Sequence, residues 1–77
     1  MSKDNIDKIL KKVLIQISKK YKKINSNKNL FEQNLDSIDF LKMIFLIEKK
    51  YGIKINSKNF DKLQTIKKLS SYIQKIR

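Results

Sequence analysis

Apolar positions set a helical rhythm from the start of the chain. Ile6, Ile9, Leu10, Val13, Leu14, Ile17 and Tyr21 follow the i, i+3, i+4, i+7 spacing of an amphipathic helix. Lys8, Lys11, Lys12, Lys19 and Lys20 fall mostly off that stripe. The spacing predicts a first helix over about 3–21, with Ser2 or Asp4 as its cap. It fits one wall of a helix bundle better than a membrane-surface or partner-binding element. The rhythm then fails over 24–36, where Asn and Ser gather in a loop that Leu30, Phe31 and Leu35 would pin to the core.

A second helix is predicted from Asp36 or Ser37 to Tyr51, with Asp36 as N-cap, Asp39 adding favourable charge to the first turn and Gly52 closing the C-terminus. Ile38, Phe40, Leu41, Met43, Ile44, Phe45, Leu46 and Ile47 make it apolar nearly all round. Such a helix is central or presents apolar surface to a partner. Gly52 to Ile55 reads as an extended link. Asn56 or Ser57 then caps a short helical turn ending near Leu63, and Thr65 caps a last helix carrying Ile66, Leu69, Tyr72, Ile73 and Ile76. The expected fold is all-α, a four-helix bundle of three main helices and a short third one, in a single domain over 1–77. Its expected core is Ile6, Leu10, Val13, Leu14, Ile17, Phe31, Ile44, Ile47, Ile55, Leu63, Ile66, Leu69 and Ile73.

Composition narrows the chemistry. The chain has 77 residues, one glycine and no proline, cysteine or histidine. No disulfide or thiolate metal site can support its small core. The commonest general base and metal ligand is missing too, so neither an enzyme nor a metal protein is expected. No signal peptide is visible, and the longest apolar run, Met43 to Ile47, is too short to span a bilayer. A cytoplasmic monomer without membrane insertion is the expectation.

The net charge of +12 raises a competing reading, a basic helical binding protein for nucleic acid or an anionic membrane surface. Nearly all of that charge is Lys, with Arg77 the one arginine, whereas base readout and bidentate phosphate contacts favour Arg. Lys, Ile and Asn make up 38 of the 77 residues, a bias that AT-rich coding sequence produces by default. Nucleic acid is therefore not the expected partner. Residues 31–48 nevertheless hold Glu32, Asp36, Asp39 and Glu48 against Lys42, a local net of −3 inside a basic chain. Compositional bias does not account for that.

The segment DSIDFLKMIFLIEKKYGIKI, residues 36–55, resembles the signature of acyl carrier and peptidyl carrier proteins. In that family Asp-Ser followed by Leu or Ile opens the second helix, and the Ser receives 4′-phosphopantetheine. The later FDKLQTIKKLSSYI is similar to the family's short third helix, Thr and amphipathic fourth helix. The resemblance covers about residues 30–73 in motif and the whole chain in architecture. It implies a free-standing carrier that holds an acyl or aminoacyl cargo as a thioester on a phosphopantetheine arm at Ser37, beside Asp36. The implied partners are a phosphopantetheinyl transferase, an acyl- or aminoacyl-loading ligase and downstream transferases or synthases. Their implied docking positions are Asp36, Ile38, Asp39, Leu41, Lys42, Phe45 and Glu48.

Physical chemistry independently favours an anion at Ser37. A serine in the first turn of a helix lies beside unsatisfied N–H groups at the positive end of the macrodipole. Without a histidine partner it is a passive acceptor rather than a self-activated nucleophile.

Three departures from the family pattern bear on pathway and cargo. Lys42 stands where many fatty-acid carriers have Glu. The loop LFEQNLDS lacks their glycine step and looks more like D-alanyl carrier proteins and some stand-alone peptidyl carriers. Phe60 falls where fatty-acid carriers commonly keep a small residue lining the acyl pocket. The expectation is a specialised pathway with a short or aminoacyl cargo, or one left outside the bundle.

Overall fold

The computed structural model describes residues 3–76, whose regular structure is helical with no strand among them. The order is α1 (Lys3–Ile17), a 3-10 turn (Lys19–Tyr21), a second 3-10 turn (Leu30–Gln33), α2 (Ser37–Tyr51), a short third 3-10 helix (Ser57–Lys62) and α3 (Ile66–Ile76). This is the expected all-α bundle with a short third helix. α1 packs against both α2 and α3. Ser2, one of the two caps expected for α1, lies outside the described residues, and so does the side chain of the other, Asp4.

The chain ends α1 four residues earlier than the apolar rhythm predicts. Ser18 is extended at φ −159°, and its hydroxyl accepts from the Lys20 N–H to open a tighter turn. Tyr21 still returns to the core, 1% exposed, because a 3-10 turn shifts its phase without moving it off the apolar side. The other ends form as their cap residues dictate. Asp36 Oδ1 accepts from the Asp39 N–H at 2.8 Å, and Thr65 Oγ1 accepts from the Lys68 N–H at 3.0 Å. Gly52, at φ 64°, takes the left-handed conformation that ends α2, and the Ile53 N–H reaches back to the Glu48 carbonyl at 3.1 Å.

The segment 24–36 is ordered by its amides rather than by repeating structure. Gln33 Nε2 donates to the carbonyls of Asn25 and Lys28, both at 3.0 Å, while its Oε1 accepts from the Asn25 N–H at 2.7 Å. The Leu30 N–H donates to the Gln64 carbonyl at 2.7 Å, and the Lys67 N–H to the Ser26 carbonyl at 3.0 Å. These bonds tie the loop to the start of α3 and leave the chain correctly placed to begin α2.

Eleven of the expected core positions are buried, and Ile17 and Phe31 are corrected. Ile17, the last residue of α1, only packs against the core's edge. Phe31 is exposed, because its 3-10 turn sends the neighbouring Leu30 inward instead. Tyr21, Ile24, Leu30, Leu35, Phe40 and Met43 complete the core. Each fully buried aliphatic side chain contributes about 1.5–3 kcal/mol.

Candidate functional site

The site is built on the first turn and outward face of α2. Ser37 is the first helical residue, and both it and Asp36 are exposed. Asp36 uses one carboxylate oxygen to cap Asp39, and its backbone carbonyl accepts from the Phe40 N–H at 3.0 Å. The N–H groups of Ser37 and Ile38 come before any intrahelical acceptor and lie at the positive end of the helix.

Of the other positions singled out in the sequence, four form one surface. Ile38, Leu41 and Phe45 are 65%, 53% and 57% exposed, an apolar stripe at i, i+3 and i+7, and exposed Lys42 borders it. Lys49 Nζ sits 5.3 Å from the centre of the Phe45 ring, adding a cation to the stripe's far end.

The remaining two acids are turned to internal use. Asp39 is half-buried, and its Oδ2 accepts a hydrogen bond from the Tyr21 hydroxyl at 2.5 Å. Burial, then the hydrogen bond to Asp39 and its charge, push the Tyr21 hydroxyl from 10.0 up to about 12. Glu48 is half-buried, and its Oε2 accepts from the Ile55 N–H at 2.8 Å, holding the link after α2. The acidic segment legible in the sequence is therefore not a free acidic face. Tyr21 is the site residue that sequence reasoning did not assign. Its place on the α1 stripe marks it for the core, but nothing in the spacing shows that its hydroxyl meets Asp39.

On the other side of α2 the buried Phe40 meets two aromatic rings at the edge of the core. The Phe40 ring lies 5.2 Å from that of Phe31 and meets Phe60 edge-on at 5.5 Å, so Phe60 occupies space between α2 and the short third helix. Among the described residues, two of the surface grooves lie away from this aromatic cluster. One, of about 530 Å³, runs between α1 and the end of α2, with Ile9, Val13 and Leu46 under a rim of Lys12, Lys49 and Lys50. The other, of about 350 Å³, lies along α3 beside Leu63 and Tyr72, among Lys62, Lys67, Lys68 and Lys75.

Among the described residues no group of three His, Cys, Asp or Glu could hold a metal ion, and no helix is long and apolar enough to cross a membrane.

The family model for the phosphopantetheine attachment site matches residues 8–73. The chain belongs to the acyl and peptidyl carrier protein family. It is 32% identical over 72 residues to the acyl carrier protein of Buchnera aphidicola subsp. Schizaphis graminum (strain Sg), an alignment covering 91% of each chain. No solved structure matches it. As a member of this family the protein is a carrier rather than an enzyme, and its prosthetic group is a covalently attached 4′-phosphopantetheine. Carriers of this kind work with a phosphopantetheinyl transferase and with biosynthetic enzymes.

Proposed function

We propose that Ser37 is the attachment residue of a single carrier domain, and that α2 is the face its partners read. The observation that carries this reading is an exposed serine at the first position of a capped helix, within Asp-Ser-Ile. Its Oγ is open to attack the pantetheine-side phosphorus of coenzyme A, breaking the pyrophosphate P–O bond so that adenosine 3′,5′-bisphosphate leaves, and the N–H groups of the first turn favour the negative charge of the phosphodiester formed. The chain has no histidine to deprotonate Ser37, so the proton on Oγ leaves to a base supplied by the transferase. The thiol that ends the prosthetic group supplies the thioester chemistry for the cargo. Asp36 keeps the first turn of α2 formed, while Ile38, Leu41 and Phe45 offer apolar contact close to the reacting residue.

The pathway we favour is specialised, with a short or aminoacyl cargo loaded by its own ligase. Lys42 on the docking face and the Phe40–Phe60 contact support that reading, because an aromatic ring fills space that a long acyl chain between the helices would need. A monomer acting in the cytoplasm is part of the same reading.

The attachment is tested by incubating the protein with coenzyme A and a broad-specificity phosphopantetheinyl transferase, then measuring intact mass beside Ser37→Ala. The expected result is a gain of one phosphopantetheine in the wild type and none in the variant. An equal gain in both would move the attachment elsewhere, and no gain with several transferases would remove the carrier role at Ser37. The cargo reading fails if a structure of the long-chain acylated protein shows the chain buried beside Phe60.

A further inference from the structure

The α2 face has a polarity that the acidic count of its segment hides. At its start stands Asp36, exposed beside Ser37. Along its length the other two acids are bonded inward, Asp39 to Tyr21 and Glu48 to the Ile55 N–H. The exposed lysines of α2 are Lys42, near its middle, and Lys49 and Lys50 in its last turn. Asp36 and Lys49 are separated by about 20 Å of helix at 1.5 Å per residue.

On a wheel of 3.6 residues per turn, Lys42 and Lys49 fall between the apolar stripe and Leu46. They therefore stand on the side facing the 530 Å³ groove, whose rim Lys49 shares with Lys12 and Lys50. Stripe, lysines and groove form one continuous surface, apolar in two places and cationic between them.

We infer that this surface docks a partner helix or ridge with an apolar edge flanked by carboxylates, the apolar edge on Phe45 and Leu41 and the carboxylates along Lys42, Lys49 and the groove. The sign of the charge fixes the chemistry. A basic partner rim would meet exposed Lys42, Lys49 and Lys50 along α2 with Lys12 across the groove, and find exposed acids at the Ser37 end, Asp36 and Glu32 of the preceding turn. An acidic rim is attracted along the same length and repelled only there, which also sets the direction of docking. The inference rests on the carrier reading for the role of α2, but its test does not require Ser37 to be modified.

The probes are two synthetic amphipathic helical peptides with one shared leucine face, flanked by glutamates in the first and by lysines in the second. Binding to the full chain is measured by fluorescence anisotropy, with thermal melts confirming that each variant is folded. The glutamate peptide is expected to bind at least tenfold more tightly than the lysine peptide. Lys42→Glu/Lys49→Glu should weaken it about tenfold and Phe45→Ser about fivefold. Lys62→Glu/Lys67→Glu, which makes the same charge change at the distant α3 groove, should alter it less than twofold.

Equal weakening by both double variants would overturn the inference in favour of general polyanion attraction, and an unaffected Phe45→Ser would overturn it in favour of charge alone. Loss of peptide binding with normal Ser37 modification defeats this inference and leaves the carrier role standing. The reverse pattern does the opposite.

Discussion

α2 and α3 begin with similar side-chain caps and diverge in what they do with their apolar residues. α3 spends Ile66, Leu69 and Ile73 on the core, and its neighbouring outward positions Lys67, Lys68, Gln74 and Lys75 are polar, with Ile76 exposed only at its end. α2 buries Phe40, Met43, Ile44 and Ile47 and then exposes Ile38, Leu41 and Phe45 as well. A helix needs only one apolar stripe to fold against its neighbours. The second stripe on α2 lies outside the core and keeps an apolar patch in water, and the proposed function takes it as the surface a partner covers. On the proposed reading, α3 serves mainly the fold, while α2 serves the fold on one side and recognition on the other.

The sharpest way to break this contrast is to truncate one residue of each kind. Leu69→Ala, at a fully buried position of α3, should cost about 2–5 kcal/mol in denaturant unfolding. Leu41→Ala, on the exposed stripe of α2, should stay within about 0.5 kcal/mol of the wild type. Comparable losses would mean that the α2 stripe is structural after all.

The link between α1 and α2 comes next in size. Tyr21→Phe removes the hydroxyl that meets Asp39 and should cost about 1–2 kcal/mol by the same measurement. Its pH dependence is more specific than its size. The folded state raises the Tyr21 hydroxyl from 10.0 to about 12, so folding favours the protonated form. That stabilising contribution is complete below pH 10 and is lost as pH rises through about 12. The stability difference between wild type and Tyr21→Phe should therefore shrink over that interval. A difference that stays constant would show that the hydroxyl's proton has no part in stability.

A smaller effect is expected at the start of α2. Asp36→Ala removes the bond to the Asp39 N–H and should cost about 0.5–2 kcal/mol, with Asp36→Asn restoring most of it because the amide oxygen also accepts. If Asp36→Asn recovers stability while phosphopantetheine transfer stays impaired, Asp36 serves the transferase as well as the helix.

How far the sequence foretold this molecule differs between its elements for identifiable reasons. The helices were legible because the apolar residues of α1, α2 and α3 repeat with a helical period and Asp36, Gly52 and Thr65 punctuate them. The break at Ser18 was not, because a serine on the polar side of a helical stripe looks the same whether the helix continues or stops. Within Leu30–Gln33, adjacent Leu30 and Phe31 compete for one inward position, and a period of three residues in so short a turn leaves no pattern to decide between them. The site was legible where it depends on one element. Ser37, Ile38, Leu41 and Phe45 lie outward, as the resemblance to carrier proteins implies. It was hidden where it depends on two, since Asp39 and Glu48 read as surface acids until Tyr21 and Ile55 arrive from other parts of the chain.

The most direct test of the account is to read recognition and folding from the same samples of Phe45→Ser. The initial rate of phosphopantetheine transfer from coenzyme A is measured beside the thermal midpoint, for the variant and the wild type. Phe45 is 57% exposed and lies two helical turns from Ser37, so it is outside the reacting group and outside the core. The account predicts a rate at least about tenfold lower with an unchanged midpoint, since truncating an aromatic anchor at a docking surface costs on the order of 1–2 kcal/mol or more. An unchanged rate, or a rate that falls only as far as the midpoint does, would contradict the claim that α2 keeps one face for folding and the other for its partners.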